Sequence, residues 1–216
     1  MKAMLITIVM ILPCFVFGQS KTDEYAIYSS YFRAFNKERG GKHTFAIKIS
    51  SNFNNYEDVW GIEGVLTDFR NFVMNKTVSG SFMPNTLFLL DSLKRDTLWL
   101  PLISKLISGI HKPHVIKNYF SKDLQVFLLP YNEYIKYFGD SENSAKGIGE
   151  AWASFHENYP DHGILVDLSE VVSDGKRAVF YFGWRCGGLC GDGSLILFYK
   201  DNSVWHLVAG IPMWYN

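Results

Sequence analysis

The sequence predicts an α+β fold in which N-terminal and central helices pack on a C-terminal antiparallel β-meander of about four strands. Three observations carry that prediction. Gly163–Val172, Lys176–Arg185, Ser194–Lys200 and Val204–Gly210 are strand-like runs joined by Ser173-Asp174-Gly175, a cysteine-bearing turn and Asp201-Asn202-Ser203, and connections that short join antiparallel neighbours. The middle strands are apolar on both faces, Ala178, Phe180, Phe182 and Trp184 on one and Val179 and Tyr181 on the other, so both faces have to be covered. Upstream, several segments carry apolar residues at helical spacing and can supply the covers.

Taken in order, Met1–Gly18 reads as a secretory signal: Lys2 is the charged head, Met4–Phe17 the apolar run, and Val16-Phe17-Gly18 ends in a small residue before a cut. Cys14 argues less for a lipid anchor, because Leu12-Pro13-Cys14 puts proline where a lipobox wants a small residue. Residues 19–216 then form a single domain. Thr22–Arg39 places Tyr25, Tyr28, Phe32 and Phe35 at spacings of three and four, an amphipathic helix capped by Thr22 and stopped by Gly40-Gly41. In His43–Ser50, Phe45, Ile47 and Ile49 alternate with Thr44, Ala46 and Lys48, which predicts a half-buried strand that joins the sheet.

Ser51–Tyr56 is loop-like, and Val59–Met74 is ambiguous because Gly61 and Gly64 interrupt a helical pattern. A helix starts after Pro84, with Leu87, Leu90 and Leu93 on one side. Leu98–Ile110 is apolar enough for a buried helix. Pro113 breaks the pattern, Leu124–Leu129 fits a strand ended by Pro130, and Asn132–Phe138 and Ala145–Tyr159 read as helices.

Charge gives no reason to expect a nucleic acid or anionic membrane partner. The chain holds 21 Lys and Arg against 21 Asp and Glu, and the cut removes only Lys2. No stretch beyond the signal is long enough in apolar residues to span a bilayer. Aromatic residues make up 16% of the chain, which fits a large aromatic core.

Cys186-Gly-Gly-Leu-Cys190 is the most informative local feature. In an exported chain, two cysteines flanking a glycine turn fit a disulfide that fixes the turn; a reduced pair, a redox pair and half of a metal site are weaker alternatives. The redox form lacks the C-x-x-C at a helix start and has only Arg185 to lower a thiol pKa. Gly187, Gly188, Gly191 and Gly193 do not make a phosphate loop, since the turn leads into a strand. His111 and His114, or His156 and His162, match no zinc spacing. Glu150, Glu157, Asp161, Asp167, Glu170 and Asp192 are candidate acids, but no spacing selects a pair. No catalytic residue, metal or cofactor is assigned. Of the tryptophans Trp152, Trp184, Trp205 and Trp214, Trp184 is expected to be the most exposed, because it stands at a strand end.

The order Trp152-x-x-Phe155, Tyr159-Pro160, Gly163-Ile164, the glycine-rich hairpin Cys186–Gly193 and the terminal Trp205 and Trp214 resembles a group of small exported bacterial proteins of uncharacterised function. The resemblance covers the last third of the chain and implies export and an α+β domain, with cysteines that are optional in the turn. It implies no activity.

The expected function is an exported, non-enzymatic domain that binds a ligand or an envelope or extracellular protein through a rim made by Trp184, Arg185, Leu189 and Asp192. The alternative is an envelope or extracellular hydrolase of glycan or peptide, using carboxylates near Glu157–Asp161.

Overall fold

The computed structural model of the protein describes residues 21–51, 98–110, 112–139 and 147–215. The signal segment, the ambiguous Val59–Met74 stretch and the helix after Pro84 lie outside the described residues. Among the described residues no helix is long and apolar enough to cross a membrane.

The fold is α+β. The order is α1 (Lys21–Glu38), β1 (Thr44–Lys48), β2 (Ser50–Ser51), α2 (Trp99–Gly109), β3 (His114–Val115), β4 (Gln125–Leu129), α3 (Tyr131–Phe138), α4 (Ile148–Asn158), β5 (Ile164–Leu168), β6 (Val172–Ser173), β7 (Arg177–Gly187), β8 (Cys190–Asp201) and β9 (Val204–Tyr215). The main sheet runs β4-β1-β5-β7-β8-β9, with β6 also on β7, while β2 and β3 form a small ribbon. The meander β5-β7-β8-β9 is antiparallel throughout. The sheet has seven strands rather than four, because β1 adds to β5 in parallel, β4 adds to β1 in parallel, and the short β6 pairs with β7.

Helix α1 ends as the sequence requires. Gly40 takes φ 72°, Gly40 N–H donates to Lys37 O at 3.4 Å and Gly41 N–H to Asn36 O at 3.1 Å, which is the Schellman stop that glycine makes easy. At the other end the chain is already helical at Lys21, so Thr22 sits inside the first turn and not at the cap. The β8–β9 turn places Asn202 and Ser203 at φ 46° and 66°, the doubly left-handed geometry that matches the twist of a two-residue hairpin.

The sheet is covered on both faces, by different helices. On the first face α1 lays Tyr25, Tyr28, Phe32 and Phe35 over Phe45, Phe180, Phe182 and Trp184. Phe32 stacks on Phe45 at 4.4 Å between centroids, and Phe35 meets Phe182 edge-on at 5.5 Å. On the second face α2 covers Val179, Tyr181, Leu195, Leu197 and Ile211, while α3 and α4 cover Ala46, Leu129 and Leu165. Each buried large side chain contributes about 1.5–3 kcal/mol, so these aromatic layers are the main source of stability. The two covers of the second face form separate clusters, and polar chemistry collects at their border.

Candidate functional site

Alternation along each strand decides which side chains reach that border. In β5 the apolar run Ile164–Leu168 contains one charge, Asp167, and its carboxylate is buried, with the residue 5% exposed. Ile164, Val166 and Leu168 belong to the α1 face, which sends Leu165 and Asp167 to the other. Asp167 Oδ1 lies 2.5 Å from Lys48 Nζ on β1, and Oδ2 accepts from Arg185 Nη1 on β7 at 3.1 Å. One carboxylate thus joins three strands across the middle of the sheet.

Two aromatic rings and two glycines frame these charges. The Tyr134 ring of α3 lies 4.4 Å from Lys48 Nζ, and the Trp214 ring of β9 lies 5.0 Å from the Arg185 guanidinium carbon, both within cation–π reach. Trp214 Nε1–H donates to the Tyr181 hydroxyl at 2.9 Å. Gly183 and Gly193 are partners across β7 and β8, and Gly193 also pairs with Trp214. A Cβ at Gly193 would fall inside the Trp214 indole, and one at Gly183 would strike the Tyr181 hydroxyl. The two glycines therefore form a trough in which both rings lie.

Burial pushes the Lys48 pKa down, but Asp167 and the Tyr134 side chain more than reverse this, so Lys48 stays above its ordinary value and charged. A cluster of this kind is not an efficient way to stabilise a core. Replacing buried ion pairs by well-packed apolar groups is often neutral or favourable.

The sheet divides the rim expected from the sequence. Trp184 and Asp192 are a register pair on the α1 face, whereas Arg185 points to the opposite face and joins Asp167. Trp184 is 6% exposed, which corrects its expected exposure. The reason is the length of α1. It runs to Glu38, and the next residue, Arg39, sets its guanidinium carbon 4.0 Å over the Trp184 ring and 4.7 Å over Phe35, closing that end of the sheet. Asp192 lies 3.7 Å from Arg39; burial holds its carboxyl above the ordinary value even though Trp184 and Arg39 pull it down. Leu189, at the hairpin tip, is 91% exposed. Behind the tip, Ile148 of α4 stands 3.2 Å from where a Gly188 Cβ would be.

Cys186 and Cys190 form a disulfide with their Cα atoms 5.2 Å apart, so the structure has the cross-linked turn.

The remaining candidates disperse. His156 packs on Trp152 at 5.4 Å, and His162 on Phe127 at 4.9 Å. Glu157 and Asp161 are exposed at the end of α4. Among the described residues no three His, Cys, Asp or Glu side chains are grouped to hold a metal ion.

A second polar cluster escaped the sequence reading. Glu24 Oε1 on α1 accepts from the Tyr28 hydroxyl at 3.0 Å and from Val171 N–H at 3.3 Å, and lies 3.2 Å from His114 Nε2. The single Tyr28 hydroxyl hydrogen is shared between Glu24 Oε1 and Ser169 O, the latter 2.5 Å from the phenol oxygen. This group ties α1 to β3 and to the β5–β6 link. Its position under the first cover and its many internal contacts make it a clamp.

Compared with known proteins, the chain matches no family model, no curated protein and no solved structure.

Proposed function

We propose that the chain is an exported, non-enzymatic binding domain whose ligand seats at Lys48, Asp167 and Arg185, beside Tyr134 and Trp214. The observation that carries this reading is the buried Asp167 carboxylate between two cations in an otherwise aromatic core. Such groups cost desolvation free energy, and folding alone does not require them when α1, α2, α3 and α4 already cover both faces. Export is supported by the signal-like start of the sequence and by the disulfide, which persists in oxidising compartments. Convergent polar groups beside aromatic rings, on rigid strands, are what small-ligand sites use for orientation.

The test is a thermal-melt screen of the purified protein against a library of small metabolites, repeated on Arg185→Ala and Trp214→Ala. A ligand at this seat raises the wild-type midpoint and loses that effect in both variants. Hits that act equally on the wild type and both variants would place binding elsewhere, and Leu189→Ser then asks whether the hairpin tip is the contact.

A further inference from the structure

The chain as a whole balances 21 basic residues against 21 acidic ones, but the connection from β3 to β4 does not. Between Lys112 and Leu124 stand Lys112, Lys117 and Lys122 and a single acid, Asp123. Asp123 is already held by Arg33 of α1, whose guanidinium donates to both carboxylate oxygens at 2.8 Å, so that pair is neutral. Among the described residues no acid pairs with the three lysines, and all three are exposed. The connection is firmly seated. Ile116 and Phe120 are buried in the core under α1, Lys117 N–H donates to the Tyr25 hydroxyl at 2.7 Å, and Ser121 N–H donates to Ser29 Oγ at 3.1 Å. With these groups turned inward, Val115 and Tyr119 are left 56% and 59% exposed between the lysines, and the Tyr119 ring stands edge-on to Tyr25 at 5.3 Å.

We infer that the β3–β4 connection docks the protein on the surface of an anionic phospholipid bilayer, with Lys112, Lys117 and Lys122 at the phosphates and Val115 and Tyr119 at the boundary of the acyl chains. Lysine stems lie along apolar surface while their heads stay with the charged groups, and a tyrosine ring with one polar end suits the same interface. A soluble polyanion would answer the lysines and offer nothing to the two apolar side chains. The connection packs with α1 on the first face of the sheet, away from the face that holds Asp167, so this surface stands independently of the ligand seat.

The experiment is co-sedimentation of the purified protein with vesicles of phosphatidylcholine alone or of phosphatidylcholine mixed with phosphatidylglycerol, at low and at raised salt. The expected result is binding to the mixed vesicles that weakens as salt is added, with little binding to phosphatidylcholine. Each lysine near an anionic surface is worth about fivefold in partitioning, so Lys117→Ala combined with Lys122→Ala should lose about twenty-five-fold. Lys105→Ala combined with Lys136→Ala removes the same net charge from exposed positions on α2 and α3, the helices of the other face, and should leave binding unchanged. Tyr119→Ser should weaken binding and keep its salt dependence. Melting midpoints matching the wild type show that the variants are folded, and the comparison of the two vesicles needs no variant. Equal binding to both vesicles, binding to neither, or equal losses in the two lysine pairs would overturn the inference. Capture of soluble polyphosphate through Lys117 and Lys122 without vesicle binding would overturn the bilayer in favour of a soluble polyanion.

Discussion

Replacing Asp167 by Asn separates charge from shape at the centre of the sheet. The two side chains have nearly the same volume, so no cavity forms. What changes is that Lys48 and Arg185, at 2.5 and 3.1 Å, lose their common counterion. Removing one partner of a buried ion pair costs about 3–5 kcal/mol. The Arg185 side chain is 29% exposed and can relax toward water, which sets the expectation at the lower end, about 3 kcal/mol. For a domain of this size that lowers the melting midpoint by about 6–12 °C. Lys48→Met should cost less, about 1–2 kcal/mol, because Asp167 keeps its bond to Arg185. The double variant should be less damaged than the sum of the two, since the residues are in direct contact. Urea unfolding followed by far-ultraviolet circular dichroism measures all three. Asp167→Asn within about 0.5 kcal/mol of wild type, the range of an ordinary surface change, would refute the reasoning, as would Lys48→Met proving the costlier substitution.

Three further outcomes follow from the packing. Burial pushes the Glu24 carboxyl up, but the His114 contact, the Tyr28 hydroxyl and Val171 N–H outweigh it and leave the group below its ordinary value. A depressed carboxyl stabilises the fold above its unfolded-state pKa and loses that contribution as pH falls through the folded-state value; Glu24→Gln should therefore flatten the acid side of the stability profile, and an unchanged acid limb would count against the clamp. Trp184→Ala should cost about 3–5 kcal/mol as a core truncation, whereas Leu189→Ser should stay within about 0.5 kcal/mol; the reverse order in urea would contradict the burial described above. Mass spectrometry of unreduced protein should find Cys186 and Cys190 two hydrogens lighter than the dithiol, and replacing both by Ser should cost about 2 kcal/mol for so short a loop. Two free thiols in material from an oxidising compartment would contradict the cross-linked turn.

Periodicity revealed the frame of the fold and concealed its centre. The meander was readable because β5, β7, β8 and β9 follow one another closely in sequence, and Gly175 before β7 and Asn202-Ser203 between β8 and β9 take left-handed turn geometry. The parallel pairs were not, since Thr44–Lys48 meets Gln125–Leu129 and Ile164 onward across long separations that no local pattern records. Lys48 shows the consequence. Alternation with Phe45 and Ile47 assigns it to a solvated face, which holds for an edge or half-covered strand. β1 is instead flanked on both sides and covered by α3 and α4, so the polar face became an interior one. Asp167 did carry a signal: it is the lone charge in the apolar run Ile164–Leu168, and a strand buried on both faces has nowhere to put a charge except in a pair. The rim grouped Trp184 with Arg185, but neighbours on one strand face opposite ways, and the two side chains lie on opposite faces of the sheet.

The central claim is that Lys48, Asp167 and Arg185 seat a ligand. Native mass spectrometry of the protein recovered from cells that export it tests this most directly, with Arg185→Ala prepared in parallel. The expected result is a small molecule bound to the wild type and absent from a folded Arg185→Ala protein. The same bound mass at equal occupancy in both would contradict it.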